Sequence, residues 1–257
     1  MKKTFLTFLF LTICIHFFAQ VMDHYENGQK FSSGNQIKGK YIVYYENGQI
    51  MLKEYYAKGV RNGKHTEYFE NGEIWKKSTY SKGVRYGVET IYYENGQLAS
   101  TDPYKEGVRN GTCFYYFESG ALEYKLEHIL GKPEGDFIQY FEDGTIESKS
   151  TFINGEHVGE YTYYWSNGTL MQKLNYVDGI KQGEYFEYYE NGQRKFFYFY
   201  INGEEHGEKI MYYENGQIRY KGSNVNGKFD GTWTYYNEDG TLRNTQYYEN
   251  GELTNEE

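Results

Sequence analysis

Six histidines and two cysteines are the side chains of this 257-residue sequence with the most chemistry to offer. His16, His24, His65, His128, His157 and His206 stand far apart, and no two fall at the close spacing that zinc sites use. Cys113 and a histidine from elsewhere have the types of a nucleophile and its base, yet a strand cysteine without an electropositive setting is an inert thiol. Cys14 lies in an apolar N-terminal stretch; once that is removed Cys113 is alone, and neither a disulfide nor a thiolate cluster can form. No glycine-x-serine-x-glycine elbow occurs, and the glycines follow no phosphate-loop spacing. Carboxylates recur in a column, Glu46, Glu70, Glu94, Glu118, Glu142, Glu190 and Glu214. Its members belong to successive hairpins roughly 10 Å apart, too far for one ion to bridge, and the EF-hand loop pattern is absent. These residues predict a protein without catalytic groups, metal or cofactor, and not an enzyme.

Charge and composition narrow the partners. The formal net charge is −9, whereas phosphate binding needs clustered Lys and Arg, so nucleic acid is excluded as a partner. Aromatics make up 20% of the chain, with 32 Tyr and only two Pro, far from an average globular composition. At the N-terminus, Lys2 and Lys3 precede "FLTFLFLTICIHFFA" (residues 5–19), a basic region followed by an apolar one of signal-peptide length. Residues 1–19 are thus expected to be a leader cleaved near Ala19. The product, residues 20–257, is expected to be exported as one domain, with its final location, periplasm, cell surface or medium, left open.

The elements that position the remaining side chains come from an internal repeat. Glycines fall at Gly28 and Gly48, and then every 24 residues from Gly72 through Gly240. A second series runs from Gly39 and Gly63 to Gly231 at the same period, and each member from Gly63 onward has a glycine four residues before it. The first unit is four residues short, as befits an end cap. Between a second-series glycine and the phrase "YYENGQ" lies a short run such as "KYIVYY" (residues 40–45), rich in strand formers. Asn-Gly then signals a type I′ hairpin turn. A return strand follows, opened by Ile50, Ile74, Leu98, Leu122, Ile146, Leu170, Ile218 or Leu242, with Arg194 the exception. One repeat is therefore one β-hairpin, and the fold class is all-β: an elongated sheet of successive antiparallel hairpins.

The unit "GEYFEYYENGQ" (residues 183–193) resembles the MORN-repeat variant of bacterial YwqK-type proteins, the antitoxins of toxin–antitoxin systems. The likeness covers residues 23–253. It implies an elongated sheet of hairpins with a non-enzymatic binding or scaffolding role. Membrane-lipid binding, proposed for eukaryotic relatives, is not expected of so acidic a chain.

The columns of the repeat then suggest a surface. Counted from the second glycine, position five is always Tyr, from Tyr44 to Tyr236, and shares a face with position three, which reads as packing. Positions two and four vary freely, which reads as recognition. On that face Tyr115, Phe137, Tyr161, Tyr163, Trp165 and Tyr185 form the expected partner-binding patch, since Tyr and Trp bring rigid area with a polar tip. The expected partner is a protein, a toxin or surface component, with carbohydrate as an alternative ligand for the aromatic face. A structural spacer, self-associating through its exposed end strands, is the other reading; the acidic residues 254–257 oppose that pairing.

Overall fold

The structure is a computed structural model that describes residues 22–23 and 38–257, so the expected leader and short first repeat lie outside the described residues. From Met22–Asp23 to Glu252–Glu256 the strands form one sheet of 23, without a helix among the described residues. Every strand pair is antiparallel, and the main pairs join neighbours in sequence: Gly39–Tyr44 with Ile50–Ala57, Ile50–Ala57 with Val60–Tyr68, and so onward. The all-β hairpin repeat read from the glycine period is thus the observed architecture.

Two different turns join the strands, and their chemistry is the reverse of the expected one. Both central residues have positive φ at Lys58-Gly59 (50° and 79°), the mark of a type I′ turn, and the equivalent pair recurs as far as Asn250-Gly251. At Asn47-Gly48 only the glycine is left-handed, at 83°. There the Gly48 N–H donates to Tyr45 O at 3.0 Å and the Tyr45 N–H to Gln49 O at 2.8 Å. This is a three-residue loop with a glycine bulge. The Asn47 side chain, accepting from the Gln49 N–H at 2.9 Å, holds Asn47 in its right-handed turn geometry. Asn-Gly was expected to make the I′ turn because a two-residue loop was assumed; the chain spends one residue more.

The repeated phrase also binds each hairpin to the next. Tyr45 Oη donates to Tyr68 O at 2.6 Å, and Asn47 Nδ2 to Glu70 O at 3.0 Å. The same two bonds recur from Tyr93, Tyr189 and Tyr213 and from Asn95, Asn191 and Asn215. Along the opposite edge, Gly83 N–H donates to Arg61 O at 2.8 Å, and Lys82 N–H to Asn62 Oδ1 at 3.1 Å. Both edges of the sheet are stitched from repeat to repeat.

Burial reverses the expected roles of the two faces. Residues in positions two and four, with their partners on the return strand (Tyr41 opposite Glu54, Val43 opposite Leu52), form one face. Among the described residues, the buried ones that lie on the other face are Ile42 and Thr162. The variable columns are therefore the core, and the uniform ones are mostly half-exposed. A thin sheet has no second layer to pack on, so side chains of one face must close over each other along the sheet. Different residues fill equivalent places by different means, and variation is compatible with packing.

Candidate binding surfaces

The packed face changes character along its length. Its N-terminal part is ionic. Glu54, 2% exposed, meets Arg61 Nε at 2.7 Å and His65 Nδ1 at 3.0 Å, while His65 Nε2 reaches Glu67 at 2.8 Å. Burial alone would raise the Glu67 carboxyl; the His65 hydrogen bond and Lys76 charge outweigh it and hold the group below its ordinary value. Arg85 Nη1 lies 3.2 Å from Glu89, and Arg109 Nε lies 2.8 Å from Asp102, without hydrogen-bond alignment. Tyr115 Oη donates to the same Asp102 oxygen at 2.8 Å.

Cys113, fully buried, has its Sγ 3.5 Å from His128 Nδ1. Burial and the Asp102 carboxylate push the thiol up to about 12, and burial with Arg109 lowers His128. At neutral pH the pair is a thiol beside a neutral imidazole, with no activated nucleophile. Among the described residues no group of three or more His, Cys, Asp and Glu is placed to hold a metal ion.

The six expected contact residues are all engaged within the chain. Tyr115 stacks on Tyr124 at 4.3 Å, and Tyr185 on Tyr198 at 4.3 Å. Phe137 packs between Tyr124 and Phe152, and Tyr161 against Tyr176 and His157. Tyr163 Oη bonds to Glu147. Trp165 stands apart at the turn, where its Nε1 donates to Tyr188 O at 3.2 Å in the place of the stitching tyrosine. Phe137 and Tyr185 are only 8% and 7% exposed. The sequence brings Tyr115, Phe137, Tyr161, Tyr163 and Tyr185 to one face, but as a spine of mutually packed rings.

The other face is the more open. It carries Lys53, Lys77, Lys125, Lys149, Lys173 and Lys221 in one column, as their pairings with Ile42, Thr66 and Phe114 and onward require. Lys53 Nζ lies 5.2 Å from the Tyr68 ring centre and Lys77 Nζ 5.0 Å from that of Tyr92. In one repeat the pattern inverts. Phe197 stands in the lysine column and Arg194 in the apolar one, with Arg194 over Phe186 at 5.3 Å and over Phe197 at 5.8 Å. Phe186–Phe197 and Phe197–Phe199 are 5.3 and 5.0 Å apart, and all three phenylalanines are half-exposed. Reading position three as packing hid this cluster. The signal was there, because Arg194 breaks a column that is otherwise Ile or Leu.

The MORN repeat variant pattern matches residues 37–58, 61–82, 85–106, 133–154, 158–178, 181–202, 205–225 and 229–250. The chain belongs to the MORN repeat variant family. No match falls between 106 and 133, the MORN-like unit that holds Cys113 and whose turn reads Phe117-Glu118-Ser119-Gly120. No curated protein matches the chain significantly. Among solved structures this MORN repeat chain is similar to "Crystal Structure of TcdB2-TccC3-Cdc42", at 12% identity over 80% of this chain and 13% of that one, with a TM-score of 0.21. It is also similar to a porin-like protein from Bacteroides uniformis ATCC 8492, at 11% identity over 84% and 86% of the two chains, with a TM-score of 0.20. Likenesses this distant carry no functional argument, and the chain spans only a small part of the first structure.

Proposed function

We propose that this MORN repeat protein is a non-catalytic scaffold that binds a protein partner through the open face of its sheet, outside the cytoplasm. The observation that carries the reading is the Phe186, Phe197 and Phe199 cluster with Arg194 above it. Half-exposed rings clamped with an arginine have the composition of an interface hot spot, and the packed face, its side chains consumed by one another, offers less. The apolar residues 5–19 support export. A YwqK-type antitoxin role is one form this binding takes, with a toxin as the partner.

The test is affinity capture from the envelope and secreted fractions, run with the wild type and a Phe186→Ser, Phe197→Ser, Phe199→Ser variant shown by circular dichroism to be folded. A Tyr161→Phe, Tyr163→Phe variant on the packed face serves as control. A protein lost only from the phenylalanine variant supports the reading; equal capture by all three forms refutes it.

A further inference from the structure

Asparagine followed by glycine is the pair most open to deamidation, because glycine has no Cβ to hinder attack by its own nitrogen on the asparagine side chain. Residues 38–257 contain twelve such pairs. The attack needs a side-chain amide able to turn back and a glycine N–H released from its hydrogen bond, and the turns of this sheet grant these unequally. At Asn47, Asn95, Asn191 and Asn215 the side chain is held at both ends. Its Nδ2 donates to a carbonyl of the next hairpin, and its Oδ1 accepts from the N–H two residues on. At Asn62 and Asn110, Oδ1 accepts from the N–H of Lys82 and of Leu130, at 3.1 and 3.3 Å.

The type I′ turns hold asparagine more loosely. Asn154, Asn202, Asn226 and Asn250 are exposed and left-handed, with φ between 51° and 53°, and among the described residues their side-chain amides make no hydrogen bond. Three of them keep a main-chain tie. The N–H donates to Glu134 at 2.8 Å from Asn154, to Gln182 at 2.9 Å from Asn202, and to Asp230 at 3.4 Å from Asn250. Each acceptor stands 20 residues earlier in the chain, and for Asn226 that place is held by His206, with which no such bond forms. The Asn226 turn is left with the Gly227 N–H, donating to Glu205 O at 2.8 Å, as its tie to the hairpin before it.

We infer that Asn226 is a site of spontaneous modification, the Asn-Gly pair of this fold that deamidates first. The reaction runs through a local opening of the turn, and such an opening is rarer for each further bond that must break with it. Once the tie to Glu205 opens, Gly227 N attacks Asn226 Cγ. The N–Cγ bond forms as the Cγ–Nδ2 bond breaks, and Nδ2 leaves as ammonia with the proton given up by Gly227. Water, which reaches this exposed turn, then opens the five-membered ring: addition at the side-chain carbonyl gives aspartate, and addition at the main-chain carbonyl gives isoaspartate. Either product adds a carboxylate to the turn, and the isoaspartyl one lengthens a two-residue loop by a main-chain carbon. The conversion changes the charge of the sheet edge slowly and without an enzyme. It is independent of the protein-binding reading, which concerns the open face.

The test is peptide mass spectrometry on the purified, folded chain incubated in heavy-oxygen water at mildly alkaline pH, where each deamidation fixes one heavy oxygen. Asn226 is expected to take up label several-fold faster than Asn154, Asn202 and Asn250, and these faster than Asn47 and Asn215. In urea the ranking is expected to collapse, since the unfolded chain has none of these bonds. A His206→Gln variant, shown by circular dichroism to be folded, is expected to slow Asn226 to the rate of Asn202, whose acceptor is Gln182. Asn226 labelled no faster than Asn202 in the folded chain, the same ranking kept in urea, or a His206→Gln variant as fast as the wild type overturns the inference.

Discussion

At Gly222 the smallest side chain lies under one of the largest. Trp233 is fully buried, stacks on Phe229 at 3.9 Å and donates its Nε1 to Ser223 O at 3.2 Å. A Cβ built on Gly222 meets the ring at 2.2 Å. The Gly222 φ is not left-handed, so the requirement is one of space alone. Gly222→Ala is expected to cost about 1–3 kcal/mol by overpacking, read as a lowered urea midpoint. Combining it with Trp233→Leu should give less than the sum of the two losses, because the smaller side chain vacates the clash. Cys113 makes a pH prediction. Its ordinary value is 9.0 and burial, helped by Asp102, pushes it up to about 12. Between those values the unfolded chain has released the proton and the folded chain keeps it, so stability falls as pH rises through this window and is intact below it. Burial followed by Asp102 also raises Tyr115, which acts in the same direction. Urea midpoints measured across the window should decline, and Cys113→Ala should flatten the slope. A slope that Cys113→Ala leaves unchanged would show that the thiol takes no part.

Between neighbouring hairpins the stitching is uneven. Tyr189 Oη donates to Tyr212 O at 2.7 Å, but Phe117 and Phe141 occupy equivalent places without a hydroxyl, and Ser119 and Asp143 replace the asparagine. The turns from 117 to 144 therefore lack both side-chain ties to the hairpin that follows. Tyr189→Phe is expected to cost about 0.5–1.5 kcal/mol, and Phe141→Tyr to stabilise by a similar amount by reaching Tyr164 O. Thermal unfolding of the two variants checks both signs. A Phe141→Tyr variant no more stable than the wild type would show that the missing bond is made by water instead. The turn chemistry itself was only half legible. The glycine period announced where the chain reverses, but whether a given Asn-Gly pair takes two or three loop residues depends on which residues close the turn, here Tyr45 with Gln49, leaving Gly48 as the bulge.

For the whole molecule, each hairpin contacts chiefly its neighbours in sequence, so the sheet behaves as a one-dimensional array. Excising residues 159–182 joins Val158 to Gly183 in the original phase of the repeat. The product is expected to stay folded with two fewer hairpin arms and a lower melting temperature, measured by circular dichroism; loss of all strand signal would show that the array is not modular. What the sequence determined by itself was the sheet: the 24-residue glycine period, the alternation of strand residues and the all-β class follow from local backbone chemistry, which acts within a few residues. What only the tertiary structure decided was which face closes. Tyr115, Phe137, Tyr161, Tyr163 and Tyr185 do share a face, as period-two alternation requires, but alternation is symmetric and names no inside. The inside is chosen by which side chains reach one another across successive strands. There, ion pairs at Glu54, ring stacks at Tyr185 and a tryptophan over Gly222 fill the same space by unlike means, and the more uniform lysine and tyrosine columns are left to face outward.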